Sequence, residues 1–193
     1  MITRVSNHFT DSPNRVHTDA GAREIGFPRA LVPGIVTYGM LEAARSAVHR
    51  ARFLKPIYDG DLVTLAPDRA VGEDGEVRIL IEPICAIAWS PEGGEALRPI
   101  ERSLADPLSR GVSIAGAVLD LAHQILMANF DWAPWLHVAS EVENYASASE
   151  KALYRVSGRI TWPRPGRALA WIEIANADAL VQRVVHRVKL SSV

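Results

Sequence analysis

Two apolar segments of helical period, each followed by runs in which apolar and polar residues alternate, constrain this chain more than any other feature. The first segment is "IVTYGMLEAARSAVHRA", opened by Pro33-Gly34. Ile35, Tyr38, Leu41, Ala44 and Val48 recur at steps of three and four, Ala and Leu are good helix formers, and Arg50 and Arg52 suit a C-terminal end. The spacing predicts one long helix, apolar around much of its circumference and therefore largely buried. The texture then changes. "RFLKPIYDGDLVTLAP" is strand-like and broken by Pro56 and the Asp59-Gly60 turn signal, and "EVRILIEPICAIAW" is a further strand candidate after the turn "GEDG".

The second half repeats that order. "SIAGAVLDLAHQILMANF" carries Ile114, Val118, Leu121, Ala122 and Ile125 on one helical stripe. In "YRVSGRITW", Tyr154, Val156, Gly158, Ile160 and Trp162 share one face and Arg155, Ser157, Arg159 and Thr161 the other. "RALAWIEIANAD" and "LVQRVVHRVKLSS" read as two more strands, with "PRPG" and "NADA" as turns. A helix wrapped by a curved antiparallel sheet buries one sheet face and most of the helix. Two such units can join edge to edge, which removes exposed strand edges. The expectation is an α+β chain with units at 1–100 and 101–193, and the polar "LRPIERSLADPLSRG" as connector. A further short helix is expected over Asp19–Gly26, ending at the glycine.

Composition narrows the function classes. The 193 residues carry a formal net charge of −1 and are 48% hydrophobic. A nucleic-acid or anionic-membrane surface usually demands a basic excess, so neither is expected. The N-terminal "MITRVSNHFTDSPN" has no secretory pattern, and no stretch of about 20 apolar residues is present. With the single cysteine, Cys85, this points to a reducing cytoplasm. Cys85 lies in an apolar run and reads as a buried thiol. The six histidines show no metal-ligand spacing, and no dinucleotide fingerprint exists, so neither a metal nor a cofactor is expected.

The stretch "NRVHTDAGAREIGFPRALVPG", residues 14–34, resembles the opening of the MaoC-like hot-dog proteins, which include (R)-specific enoyl-CoA hydratases. Asn14, Val16, His17, Gly26, Phe27 and Gly34 fall on that signature. "APWLHVASEVENY" followed by "YRVSGRITW" resembles the second unit of a double-hot-dog subgroup, so the likeness covers nearly the whole chain. The departures are Arg15 where the signature has proline, Pro33 where histidine is frequent, and Asp11 one residue ahead of the expected aspartate.

The resemblance implies a double hot-dog acting as a hydratase or dehydratase on an enoyl or 3-hydroxyacyl thioester of coenzyme A or an acyl carrier protein. His17 would be the base, Asp11 its carboxylate partner, and Asn14 would orient the pair. Gly34 would offer its N–H to the thioester oxygen, its missing Cβ leaving room for the substrate. Pro33, Tyr38 and His137 would contact substrate, and pairing into a homodimer is expected from the fold. Read from the residues alone, His17 can equally be a polar residue that ties a turn, and His123 a core histidine. Arg183, His186, Arg187 and Lys189 give a basic strand that reads as solvated, with the phosphates of coenzyme A as the sharper alternative. Two further readings stand beside the hydratase: a non-catalytic acyl-thioester or small-ligand binding protein, and the same fold acting on a non-CoA biosynthetic substrate.

Overall fold

Alternating burial along nearly every extended segment sets the architecture. The computed structural model describes residues 1–130, 135–177 and 179–190. The chain opens with β1 (Ile2–Arg4), then helix α1 (Asp19–Glu24) and helix α2 (Gly34–Met40). Strands β2 (Val48–Phe53), β3 (Leu62–Leu65), β4 (Arg69–Gly72) and β5 (Val77–Pro83) follow. After the short β6 (Glu95–Ala96) and β7 (Ile100–Ser103) come helices α3 (Ala105–Ser109) and α4 (Ile114–Asn129). Strands β8 (Trp135–Asn144), β9 (Leu153–Arg164), β10 (Arg167–Asn176) and β11 (Ala179–Leu190) close the chain. All eleven strands belong to one sheet in the order β1-β3-β4-β5-β2-β8-β11-β10-β9-β6, with β7 also on β9. Every pairing is antiparallel, and β2 on β8 joins the two halves.

The long first helix is corrected. The α-helix ends at Met40, a 3₁₀ turn covers Glu42–Arg45, and Val48–Phe53 is a central strand. The helical spacing of Ile35, Tyr38, Leu41 and Ala44 is real, and all four are buried. From His49 onward a period of two takes over, with His49 and Ala51 fully buried and Arg50 and Arg52 on the other face. Pairing on both edges, to β5 and β8, satisfies more backbone groups there than a solvent-facing helical turn could. Only the second helix is therefore long. The connector is corrected too, because Ile100–Ser103 pairs with β9 and Ala105–Ser109 is helical. Glu95–Ala96 already pairs with β9 as well. Cys85 is exposed, since the chain leaves the sheet after Pro83 and its apolar neighbours no longer point into a core.

The second half follows its pattern closely. In α4, Val118, Leu121, Ala122 and Ile125 are buried, while Ile114 in the first turn is 37% exposed. Tyr154, Val156 and Ile160 face the core along β9, and Trp162 lies beyond its edge at 41% exposure. Within the predicted "NADA" turn, Asp178 lies outside the described residues. The short helix ends as expected, with Thr18 accepting from the Gly21 N–H at its start and Gly26 at φ 88° just after it.

Helices α2 and α4 cross at two glycines. The Ser113 hydroxyl donates to Gly39 O at 2.7 Å and also accepts from Gly116 N as the cap of α4. A Cβ on Gly116 would stand 2.5 Å from Ile35 O, which is backbone and cannot rotate aside. We expect Gly116→Ala to cost about 1–3 kcal/mol through this overpacking. A thermal melt checks it, with a drop of roughly 2–4 °C per kcal/mol for a chain of this size.

Candidate functional site

A cavity of about 510 Å³ lies where the N-terminal loop, the start of α2 and the Asp120, His123, Gln124 and Met127 face of α4 meet the sheet. Asp11, Asn14, His17, Pro33, Gly34 and His137, six of the residues singled out from the sequence, line it. The seventh, Tyr38, does not. Its side chain is fully buried, and its hydroxyl stands 2.9 Å from His49 Nε2. Because His49 Nδ1 donates to Ser46 O at 3.1 Å, Nε2 is the acceptor and the tyrosine hydroxyl the donor. Tyr38 is thus a core residue: the period that puts Ile35 against α4 turns Tyr38 inward with it.

His17 closes a 3₁₀ turn, Arg15–His17, just before the Thr18 cap. Its Nδ1 donates to Leu31 O at 2.7 Å, so the neutral ring carries its lone pair on Nε2. Burial pushes the imidazole down to about 4, opposed by the Leu31 carbonyl and the Asp120 charge and assisted by His123. The ring is therefore neutral at physiological pH.

Asp11 is held elsewhere. Both of its oxygens take the Arg110 guanidinium, at 2.5 and 2.9 Å, and that fork holds the carboxyl below its usual range. Arg110 also grips Asp106 and lies over the Phe9 ring. No hydrogen bond or ion pair among the described residues joins Asp11 to His17, so Asp11 is a latch at the cavity mouth and the expectation of a dyad with it is corrected. The one-residue displacement in the sequence has a structural counterpart.

The carboxylate that faces His17 electrostatically is Asp120 of α4. It is 7% exposed, accepts from Gln124 Nε2 at 2.7 Å, and lies 3.7 Å from His123 Nδ1. Asp120, His123 and Gln124 stand at i, i+3 and i+4, on one helical face, and all three line the cavity. Sequence reading passed over Asp120, although a carboxylate between Leu119 and Leu121 in an otherwise apolar helix is a detectable signal.

Asn14 is buried and forms a two-way clamp across the halves. Its Nδ2 donates to Trp135 O at 3.0 Å and its Oδ1 accepts from Trp135 N at 3.3 Å. It positions the loop that carries His17 rather than touching the ring. Gly34 is required for a reason the sequence did not show: a Cβ there would lie 2.4 Å from the Phe53 ring. Phe53 in turn packs on His137, ring centroids 3.9 Å apart. His137 is joined to His123 and, through Ser140, to His186. The basic strand splits by alternation. Arg183 pairs with Glu173 and Arg187 with Glu141 on the outer face, while His186 is fully buried on the inner one.

No family model and no curated protein matches this sequence. Solved structures do. A MaoC-like dehydratase is similar at TM-score 0.63 and 12% identity, over 98% of both chains. A structure described as an oleoyl thioesterase from Lactobacillus plantarum reaches TM-score 0.59 at 12% identity, over 98% of this chain and 94% of that one. A GphF dehydratase variant reaches 0.55 at 14% identity, over 98% and 92%. The eleven-stranded antiparallel sheet, its enclosed helix α4 and these likenesses together give the chain the hot-dog fold of MaoC-like dehydratases and hot-dog thioesterases.

Proposed function

We propose that this protein is a double-hot-dog hydro-lyase that adds water to an enoyl thioester, or removes it from the 3-hydroxyacyl thioester. The observation that carries this reading is that a neutral histidine, His17, and a carboxylate, Asp120, line the same cavity, with the carboxylate's charge acting on the imidazole. Water addition needs a base for the attacking water, a proton for the α-carbon, and a donor for the thioester oxygen as it becomes enolate-like. Asp120 orients the water by accepting one of its hydrogens. His17 Nε2 takes the other as the oxygen bonds to the β-carbon, then returns it to the α-carbon; an imidazolium in this buried position is a strong acid. Dehydration runs the same steps backwards. The backbone N–H of Gly34, the first of its helix and without an intrahelical acceptor, is assigned to the thioester oxygen. Pro33 and His137 border the acyl chain, which lies against Leu31, Ile57 and Met127. Lys55 and Arg102, which line the same cavity, suit a phosphate-bearing carrier, coenzyme A or acyl carrier protein.

The dehydratases among the similar structures favour this chemistry, and the thioesterase makes hydrolysis the competing one. The two are separated by incubating the protein with short and medium trans-2-enoyl-CoA, following the conjugated-thioester absorbance and free thiol together. Loss of absorbance without thiol release is expected. Thiol release at the same rate would make the protein a thioesterase, and tight binding with neither signal would make it an acyl-thioester binding protein. No helix among the described residues is long and apolar enough to cross a membrane.

A further inference from the structure

Three of the six histidines meet at one point. His123 comes from α4, His137 from β8 and His186 from β11, and one ring nitrogen from each lies within 4.8 Å of those of the other two. His123 and His137 border the cavity. His186 lies behind them, fully buried, its ring stacked on His137 at 4.0 Å. Their separation in the sequence, 14 and 49 residues, gave no ligand signature.

The hydrogen bonds are compatible with one set of nitrogens turning to a common ligand. His137 Nε2 lies 2.9 Å from Ser140 Oγ, and His186 Nδ1 lies 2.7 Å from the same oxygen. A hydroxyl has two acceptor lone pairs and can take an N–H from each ring. His123 Nδ1 faces Asp120 Oδ1 at 3.7 Å. In the tautomers that a metal would select, those three nitrogens carry the protons and the lone pairs fall on His123 Nε2, His137 Nδ1 and His186 Nε2. The first two are 3.1 Å apart and share a hydrogen between them, which an incoming cation would displace. The third is buried with no hydrogen-bond partner among the described residues.

An orphaned buried nitrogen is costly, and a cation held by the three rings would relieve it. Imidazole nitrogens suit zinc, cobalt, nickel and copper. A tetrahedral zinc at 2.0–2.1 Å from its nitrogens sets those nitrogens about 3.3 Å apart, close to the 3.1 Å His123–His137 spacing, and the trio, within 4.8 Å, would have to draw together around the ion. The outer partners are of the kind that fix metal-bound histidines, a carboxylate and a hydroxyl on the far nitrogens.

We propose that His123 Nε2, His137 Nδ1 and His186 Nε2 bind a divalent transition ion, zinc or a congener, on the cavity wall. Three protein ligands leave one coordination position, and the cavity-lining rings His123 and His137 turn it toward bound substrate. Asp120 and Ser140 hold the far nitrogens of the ligand rings. The proposal does not rest on the acid–base reading of His17.

The test uses cobalt as a spectroscopic probe on chelator-treated full-length protein, with zinc competition and metal analysis for stoichiometry. One equivalent is expected, with the visible bands of a four- or five-coordinate site. Binding should weaken at least about 100-fold in His123→Gln and His137→Gln, be about 10- to 100-fold weaker in Ser140→Ala, and stay unchanged in His8→Ala, an exposed control. Near-UV circular dichroism shows whether each variant is folded. Nitrogen NMR of the imidazoles in the unaltered protein needs no variant: the rings of His123, His137 and His186 should shift together on adding zinc. Absence of stoichiometric cobalt or zinc binding would overturn the proposal. So would equal binding by folded His123→Gln and His137→Gln, or zinc shifts confined to other histidines.

Discussion

Asp120→Asn and His17→Ala should each lower enoyl-thioester turnover by roughly 10²- to 10⁴-fold, the range for a positioned acid–base group, while Asp11→Asn should retain it within about threefold, as expected for a surface ion pair. The contrast follows from where the carboxylates sit. Asp120 is buried beside the cavity and acts on His17 through space, whereas Asp11 is 67% exposed at its side chain and engaged by Arg110. Steady-state rates on one trans-2-enoyl-CoA measure all three. The double variant Asp120→Asn/His17→Ala should be little worse than either alone, since the two residues serve one water. If Asp11→Asn proves inactive and Asp120→Asn active, the assignment of the carboxylate is wrong.

Acidification should destabilise the metal-free protein, beginning below about pH 6.5 and continuing to about pH 4. His17 is held down to about 4, below its ordinary 6.5, chiefly by burial. His49 is lowered as well, also by burial, between the Ser46 carbonyl and the Tyr38 hydroxyl. Across this window the unfolded chain binds protons that the folded chain refuses, so unfolding gains free energy as pH falls. Stability is full above the unfolded value and is lost on descending toward the folded one. For His17 the loss is on the order of 2 kcal/mol once access of water from the cavity is allowed for. Urea midpoints at a series of pH values measure it. His17→Asn should flatten the slope between pH 4 and 6.5, and an unchanged slope would show that His17 is protonated in the fold as readily as outside it.

Much of the second half was legible. In α4 and in β9 to β11 the local period and the tertiary surroundings agree, so Val118, Leu121 and Ile125 point where their spacing says, and so do Tyr154, Val156 and Ile160. The first half misleads where they disagree. "SAVHRA" carries good helix formers, yet its backbone is claimed by β5 and β8, partners about 30 and 90 residues away. Propensity is worth a few tenths of a kcal/mol per residue, and pairing on both edges of a central strand outweighs it. Tyr38 illustrates the same limit, because the helical stripe that was read correctly faces the core and not the cavity.

The candidate site was legible only in part. His17, Asn14 and Gly34 stand in one contiguous stretch whose pattern marks them, and the structure brings them to the cavity together. Their partners belong to other elements. Asp120 reaches the same cavity from α4, and Asp11 is engaged by Arg110. The sequence by itself determined the helix of the second half, the strands around it, the loop that carries His17, and a formal net charge of −1, because these depend on periods of two to four residues and on composition. Only the tertiary structure decided that Val48–Phe53 is a strand, that Asp120 lines the same cavity as His17, and that His123, His137 and His186 share one point. Those facts depend on backbone pairing and packing between residues 14 to 103 positions apart, and no local period records them.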